Sequence, residues 1–509
     1  MTALATTTEI AVIGAGAMGA GIAHVAARAG HTVRLYDMNA DALARGKAAI
    51  EKDLRFLVGK GRLSEDECAA ALARVVPTTV LAELAGAGLV VEAIVEKLEV
   101  KQQLFRELES LLGADAILAS NTSSLSITAI ASVLERPSRV AGLHFFNPAP
   151  RMALVEIVSG LATDEEVAAT LYDTARAWGK VPVHASSTPG FIVNRVARPY
   201  YAEALRVLAE RAASPATLDA LLREGCGFPM GPFELMDLIG HDVNYAVTRS
   251  VFDAYYGDKR FTPSLIQHEL VLAGRLGRKS GQGFYDYRDG AARPQADVEP
   301  AAGDAAAVTV SGEPGIIAPL VERLGAANVS VERVGDSGDK AAEMRVGTAR
   351  LALSDGRTAT DRAAQEGTPD LVLLDLARDY AATPRLALAR AEQCSEAAWR
   401  DVVGTLQAAG IAVSRLDDVA GLLAVRTIAM LANEAADAVV QGIASPSDID
   451  TAMRYGTNYP EGPLAWAERL GSRHVATVLA NLAAHYGEER YRTSPLIRRC
   501  AVGGRSLLG

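Results

Sequence analysis

The stretch "EIAVIGAGAMGAGIAHVAARAGHTVRLYD" constrains the fold more than any other part of the chain. An apolar run, Ile10 to Ile13, ends at Gly14, and Gly14-Ala15-Gly16-Ala17-Met18-Gly19 supplies the spacing GxGxxG. A helical stretch follows to about Ala29 and closes at Gly30; Thr32 to Tyr36 then read as a second strand ending at Asp37. In such a turn Gly14 permits the tight bend, Gly16 lets a pyrophosphate reach the backbone, and Gly19 lets helix and strand pack closely. The free N–H groups and positive end of the helix face the phosphates. With an acid, Asp37, closing the second strand, this is the arrangement of a dinucleotide site. Gly14, Gly16, Ala17, Met18 and Gly19 are its phosphate-facing residues, and Asp37 accepts from the ribose hydroxyls. No arginine follows Asp37 in "DMNAD" to meet a 2′-phosphate, and the carboxylate repels one. NAD is expected rather than NADP.

Strand and helix continue to alternate through "GLVVEAIVEKLEVKQQLFRELESLL" and "AILASNTSSLSITAIASVL" to strands at "RVAGLHFF" and "LVEIV". This predicts an α/β fold with a doubly wound, mainly parallel sheet, where ligands bind outside the carboxyl ends of the strands. Glu92 and Glu96, Ser120 to Ser124, and His144 to Asn147 all follow strand-like runs. Taken alone, His144 reads as a satisfied core histidine. Its place at a strand end favours another reading, a base that takes an alcohol's hydroxyl proton as hydride departs. Histidine suits that work because it titrates near neutrality.

Such a base needs a carboxylate to hold its tautomer. Glu156 is the next acid along the chain, in the apolar strand "MALVEIVSG", where a glutamate is costly to bury unless paired. It reaches His144 if the two strands are neighbours; otherwise it is an edge-strand carboxylate in solvent. In "TPGFIVNRVARPYYAEAL", which begins a long helical segment, Asn194 follows three apolar residues. An inward amide there, with a hydroxyl from "SNTSSLS", can hold the substrate oxygen on which charge develops.

"GAGAMGAGIA", "SNTSSLSITAIA", "RVAGLHFFNPAP", "STPGFIVNR", "GFPMGPFELMDLIG" and "GRKSGQGFYDY" together resemble the L-3-hydroxyacyl-CoA dehydrogenases, in matched order over roughly residues 9 to 287. The resemblance implies an acyl-CoA substrate, His144 as base, Glu156 as its partner, and Ser123 and Asn194 on the substrate oxygens. It further implies NAD contacts from Asp37, Glu96, Lys101, Ser123 and Asn147, and a CoA-phosphate contact from Lys60. Asp53 stands where a family member can carry a CoA-contacting serine, and that contact is not carried over. "PRMALVE" has Arg151 and Ala153 where the family often has a lysine just before "LVE", so the charge arrangement beside the site is open.

The tail repeats the segment after the first domain. At one rigid offset, which sets Gly190 on Gly421 and Pro232 on Pro463, the residues Arg195, Glu203, Ala213, Ser214, Pro215, Asp219, Gly225, Pro229 and Gly231 also meet identical residues, from Arg426 to Gly462. Gap-free matches rich in Gly and Pro indicate an internal duplication. Asn194 faces Val425, so the second copy lacks that amide and is expected to be structural, packing with the first as a pseudo-symmetric pair. Between them, "RDGAARPQADVEPAAGDAA" is a linker, and "AVTVSGEPGIIAPLVERLGAANVSVERV" a worn βαβ with Pro314 where Gly16 would stand. The expected order is an NAD-binding Rossmann domain (1–187), an α-helical domain (188–287), the linker (288–306), a degenerate α/β domain without NAD (307–418) and a second α-helical copy (419–509).

With 509 residues, several domains are required. A net charge of −10 argues against a nucleic-acid or anionic-membrane surface, while leaving room for a local basic pocket. Cys68, Cys226, Cys394 and Cys500 are far apart, as in a reducing compartment, and show no metal-ligand spacing. "MTALATTTEI" lacks the features of a signal peptide, and no apolar run approaches a membrane span. A cytoplasmic enzyme is expected, with a homo-oligomer left open. The two-copy architecture and "GHDVNYAVT" look most like family members that act on 3-hydroxyadipyl-CoA in phenylacetate degradation. Members acting on 3-hydroxybutyryl-CoA are the alternative, and a non-catalytic NAD-binding protein the remote one. Arg151 is a candidate partner for the distal carboxylate of an adipyl chain.

Overall fold

Runs such as Ile10–Ile13 and residues 89–91, which lead into Glu92, are short, aliphatic and buried along their whole length, the mark of strands covered by helices on both faces. The computed structural model describes residues 3–335 and 343–509, so residues 336–342 of the expected 307–418 domain lie outside it. The chain divides into two units. One holds Met1–Arg195 with Gln441–Thr457, the other Val196–Val440 with Asn458–Gly509.

The first unit is built on eight strands: β1 (Ile10–Ile13), β2 (Val33–Tyr36), β3 (Val75–Thr78), β4 (Leu89–Glu92), β5 (Ile117–Ser120), β6 (Val140–Phe145), β7 (Leu154–Ser159) and β8 (Val181–Ser186). Their order is β3-β2-β1-β4-β5-β6-β7-β8. The six strands from β3 to β6 run parallel, β7 is antiparallel to β6, and β8 is parallel to β7. The first six follow the dinucleotide-binding order, which reverses between β1 and β4 and opens a crevice at their carboxyl ends. Helix Ala17–Arg28 packs its face from Ile22 to Ala27 on this sheet.

The second unit carries a seven-stranded mixed sheet of β9 (Val308–Ser311), β10 (Val331–Val334), β11 (Glu343–Val346), β12 (Ala349–Leu353), β13 (Leu371–Leu374), β14 (Arg385–Arg390) and β15 (Ala412–Arg415). The order is β10-β9-β11-β12-β13-β14-β15. β9, helix Ala318–Ala326 and parallel β10 form a βαβ, but Pro314 leads into a 3-10 turn, Gly315–Ile317, instead of a glycine turn.

The long helical segment expected after "TPGFIVNR" is broken. Val193–Val196 forms one turn and Arg198–Ala209 a separate helix. Pro199 has no N–H to return to the carbonyl four residues back, so the ladder is interrupted there. At the offset position stands Met430, and Ala424–Val440 runs unbroken. Arg426, on that helix, is buried with its Nε 2.6 Å from Glu203 Oε2, a pairing that offsets the cost of sinking both charges. No helix among the described residues is long and apolar enough to cross a membrane. All four cysteines are free and buried.

Candidate active site

The glycine turn separates into residues the fold requires and one it does not. Gly14 has φ +100°, and a Cβ there would lie 2.6 Å from the Ala93 carbonyl oxygen. A Cβ on Gly19 would lie 1.8 Å from the Gly14 carbonyl oxygen. At Gly16 a Cβ would meet nothing within 4 Å. The space in front of Gly16 is therefore left by the chain and not filled by it. Helix Ala17–Arg28 starts there with no side-chain cap and no acid in its first turn, which keeps its N–H groups available to an anion. Asp37 stands beside the turn, its Oδ2 accepting from Ala15 N at 2.9 Å and its Oδ1 from Asn39 N at 2.9 Å. These features fit the ribose and diphosphate of NAD.

Beyond β4 and β5 lies a second polar group. Lys101 is 1% exposed, and its Nζ reaches Glu92 Oε1 at 2.6 Å and Glu96 Oε2 at 3.2 Å. Ser120 Oγ donates to the other oxygen of Glu92. Glu96 Oε1 accepts from Thr122 Oγ1 at 2.5 Å and from Ser123 N at 3.0 Å. Burial works against the charge on Glu96, but the Thr122 hydroxyl, the Lys101 ammonium and the Ser124 hydroxyl hold its carboxyl below the usual range. Lys101 thus pairs with both carboxylates that brace the loops after β4 and β5. Ser123 itself is exposed at the turn they form.

His144 and Glu156 face each other directly across the antiparallel pair β6–β7. Imidazole Nδ1 lies 2.6 Å from Glu156 Oε2. The other carboxylate oxygen, Oε1, accepts from Ile192 N at 3.1 Å and Val193 N at 3.0 Å. Both oxygens of this fully buried glutamate are thereby used, which answers the cost of placing it in an apolar strand. An ionised carboxylate on Nδ1 fixes the tautomer with its proton on Nδ1 and leaves Nε2 as the proton acceptor. The rings of Phe146 and Phe191 flank the imidazole at centroid distances of 4.5 and 5.8 Å. The carboxyl end of β6 is tied to the β5 loop by Asn121, whose Oδ1 accepts from Phe145 N at 2.8 Å.

Asn194 is half-buried in the turn Val193–Val196, next to the backbone that holds Glu156. Asn147 is exposed just past β6. Lys60 is exposed at the end of helix Ala40–Gly59, with its ammonium over the Phe56 ring. Arg151 Nη2 comes within 3.9 Å of Asp53 Oδ1, so the two departures from the family pattern meet. The missing lysine before "LVE" has a local counterpart. Lys180 Nζ donates to the carbonyls of Ala149 at 2.6 Å and Met152 at 2.8 Å, and burial, then Arg28, push its ammonium down to about 8. Sequence reasoning overlooked Lys180, Asn121 and Phe191. A lysine directly before the apolar "VPV" strand start was the available signal for the first, and a non-glycine at positive φ (45° at Phe191) shows only in the structure.

The second unit repeats part of this geometry. Asp375, just past β13, takes backbone N–H bonds from Leu423, Ala424 and Val425 at 2.7–3.0 Å. Leu423 and Ala424 are the offset partners of Ile192 and Val193. Asp375 N donates to the Ala387 carbonyl on β14. Because β13 and β14 pair as β6 and β7 do, Asp375 ends the strand that corresponds to β6, and an alanine stands across from it where β7 offers Glu156. Among the described residues no three histidine, cysteine or acidic side chains converge as a metal site would need.

Three family models match the chain: the NAD-binding domain of 3-hydroxyacyl-CoA dehydrogenase over residues 9–188, its C-terminal domain over 190–287 and again over 421–506, and the reduced Rossmann-fold domain of 3-hydroxybutyryl-CoA dehydrogenase over 351–419. The 3-hydroxyadipyl-CoA dehydrogenase of Escherichia coli K12 is 48% identical over 97% of both chains. A probable 3-hydroxybutyryl-CoA dehydrogenase of Deinococcus radiodurans is 43% identical over 55% of this chain and 100% of its own. A crystal structure described as 3-hydroxybutyryl-CoA dehydrogenase from Escherichia coli K12 is 46% identical, with a TM-score of 0.89, over 98% of this chain and 99% of that one.

Proposed function

The chain belongs to the 3-hydroxyacyl-CoA dehydrogenase family of NAD-dependent oxidoreductases, and on that premise we propose that it oxidises (S)-3-hydroxyadipyl-CoA to the 3-oxoacyl-CoA. The observation that carries the chemistry is the His144–Glu156 pair in register at the carboxyl end of β6. His144 Nε2 takes the hydroxyl proton from the substrate. The Glu156 carboxylate holds the ring and stabilises the imidazolium that forms. Ser123 and Asn194 steady the substrate oxygens. NAD, when bound against Gly14 to Gly19 and Asp37, supplies the hydride acceptor. Glu96 and Lys101, with Ser123 and Asn147, shape the nicotinamide side of its site.

Lys60 meets the CoA phosphates. A cavity of about 560 Å³ along the same helix is lined by Arg28, Arg62 and Arg151 against the single acid Asp53, a local excess of positive charge suited to a polyanion in a protein of net charge −10. The adipyl preference rests on the full-length similarity to the Escherichia coli relative named for that substrate. The butyryl reading is favoured by the name of the similar crystal structure. A kcat/KM series across C4 to C16 and dicarboxylyl CoA thioesters decides between them. The account predicts the maximum at the adipyl thioester, and a maximum at butyryl transfers the assignment. Arg151→Ala tests the competing placement of Arg151 at the distal carboxylate: a selective fall of the adipyl value would take Arg151 out of the CoA-phosphate cavity, and an unchanged adipyl/butyryl preference would keep it there.

Backbone amides at offset-matched positions, Ile192 and Val193 in one copy and Leu423 and Ala424 in the other, each clamp a buried acid, and with the two matches to one C-terminal model this supports an internal duplication within the expected boundaries, 1–187, 188–287, 307–418 and 419–509. The two helical copies then pair as an intrachain pseudo-dimer, and the second copy with the reduced α/β domain carries no second reaction centre. Free buried cysteines suit a cytoplasmic enzyme of phenylacetate degradation.

A further inference from the structure

Residues 441–457 belong by sequence to the second helical copy, yet they pack in the unit that carries His144. Ser186 N, at the end of β8, donates to the Ile443 carbonyl at 2.8 Å, and Ser186 Oγ donates to the Gly442 carbonyl at 2.9 Å. Arg195 Nη1 donates to Gln441 Oε1 at 2.8 Å. Helix Pro446–Gly456 then lies against β7 and β8.

The helix ends at its tightest contact. A Cβ on Gly456 would sit 2.6 Å from Leu154 Cδ2 and 3.0 Å from Val193 Cγ2. Leu154 lies on β7 two residues before Glu156, and Val193 gives Glu156 one of its two backbone N–H bonds. The strand that carries the carboxylate and the turn that holds its Oε1 therefore rest on the same helix end. Close-packed interiors transmit displacements of this kind, because the contact has no slack to absorb them. Gly225, the counterpart in the first copy, is under no such pressure. A Cβ on Gly225 would meet only the Arg385 carbonyl oxygen, at an ordinary 3.5 Å.

We infer that the segment Gln441–Thr457 is a positioning element for Glu156. This piece of the second copy sets the geometry of the His144–Glu156 pair. The kinetic consequence rests on the dehydrogenase reading; the geometric one does not.

The test compares Gly456→Ala, its matched control Gly225→Ala, and Gln441→Ala, which adds no atoms, all in the full chain. Misplacement of a catalytic group by a fraction of an ångström predicts about a tenfold loss of kcat in Gly456→Ala and about threefold in Gln441→Ala, with KM for NAD within about twofold of wild type. Gly225→Ala keeps kcat. The downfield proton NMR signal of the His144 Nδ1–H bond to Glu156 shifts or broadens in the first two variants and stays in place in the control. Leaving both kcat and this resonance at wild-type values in the 456 and 441 variants overturns the inference, and so does a fall in Tm with the resonance unmoved. A wild-type protein inactive on every 3-hydroxyacyl-CoA, whose resonance still responds to the two substitutions, would sink the dehydrogenase reading and leave the positioning role standing.

Discussion

Glu156→Gln is the substitution that separates orientation from mere packing at this site. The amide keeps the volume of the carboxylate, and its oxygen can still accept from Ile192 N and Val193 N. That choice turns the amide nitrogen toward His144 Nδ1, which must then become an acceptor. The proton moves to Nε2, the nitrogen required to be bare if it is to take the substrate's hydroxyl proton. The variant also loses the charge that stabilises the imidazolium. With charge centres ~4 Å apart and an effective dielectric of ~20, that interaction is about 4 kcal/mol. At about 1.4 kcal/mol per factor of ten, kcat falls by ~10³. The assay is NADH formation from an (S)-3-hydroxyacyl-CoA at saturating NAD, with NAD affinity measured separately and expected to stay within about threefold. A variant within tenfold of wild-type kcat would refute both the tautomer argument and the charge argument.

Gly16→Val leaves Tm within ~2 °C, because its side chain enters space the protein does not use, while raising the Kd for NAD by at least about tenfold in calorimetric titration. Lys101→Met strands Glu92 and Glu96 without their cation, and urea unfolding should show a loss of about 3–5 kcal/mol. Lys180 is held in the folded state at about 8 against an ordinary 10.5, so between those values the unfolded chain binds the extra proton and stability rises with pH. The urea midpoint of wild type minus that of Lys180→Met should climb across that same window; a flat difference would discard the assignment.

The glycine turn was legible because each of its residues is dictated locally, by a bend, a close contact or an empty space. The parts that depend on pairing were legible only as conditions. Nothing in "HFFNPAPRMALVE" states that His144 and Glu156 fall opposite one another; the antiparallel register of β6 and β7 does that. Lys101 sits in "EKLEVKQQ", a pattern that looks like a solvated helix face, and only the approach of β4 buries it against Glu92. Asp375 closes the apolar run "LVLLD" and has no local sign of the three amides that await it far along the chain, at Leu423 to Val425. Similarity at a fixed offset points to a repeat, but gives no sign that residues 441–457 pack with the first unit, because similarity along a sequence does not state the partner each helix chooses.

The most direct trial of the mechanism is turnover of one (S)-3-hydroxyacyl-CoA by wild type and His144→Gln side by side, read as NADH absorbance. A positioned base accounts for roughly 10²–10⁴ in rate, so the variant should lose that much kcat while still binding NAD. Equal turnover by the two proteins would contradict the assignment of His144 as the group that receives the proton.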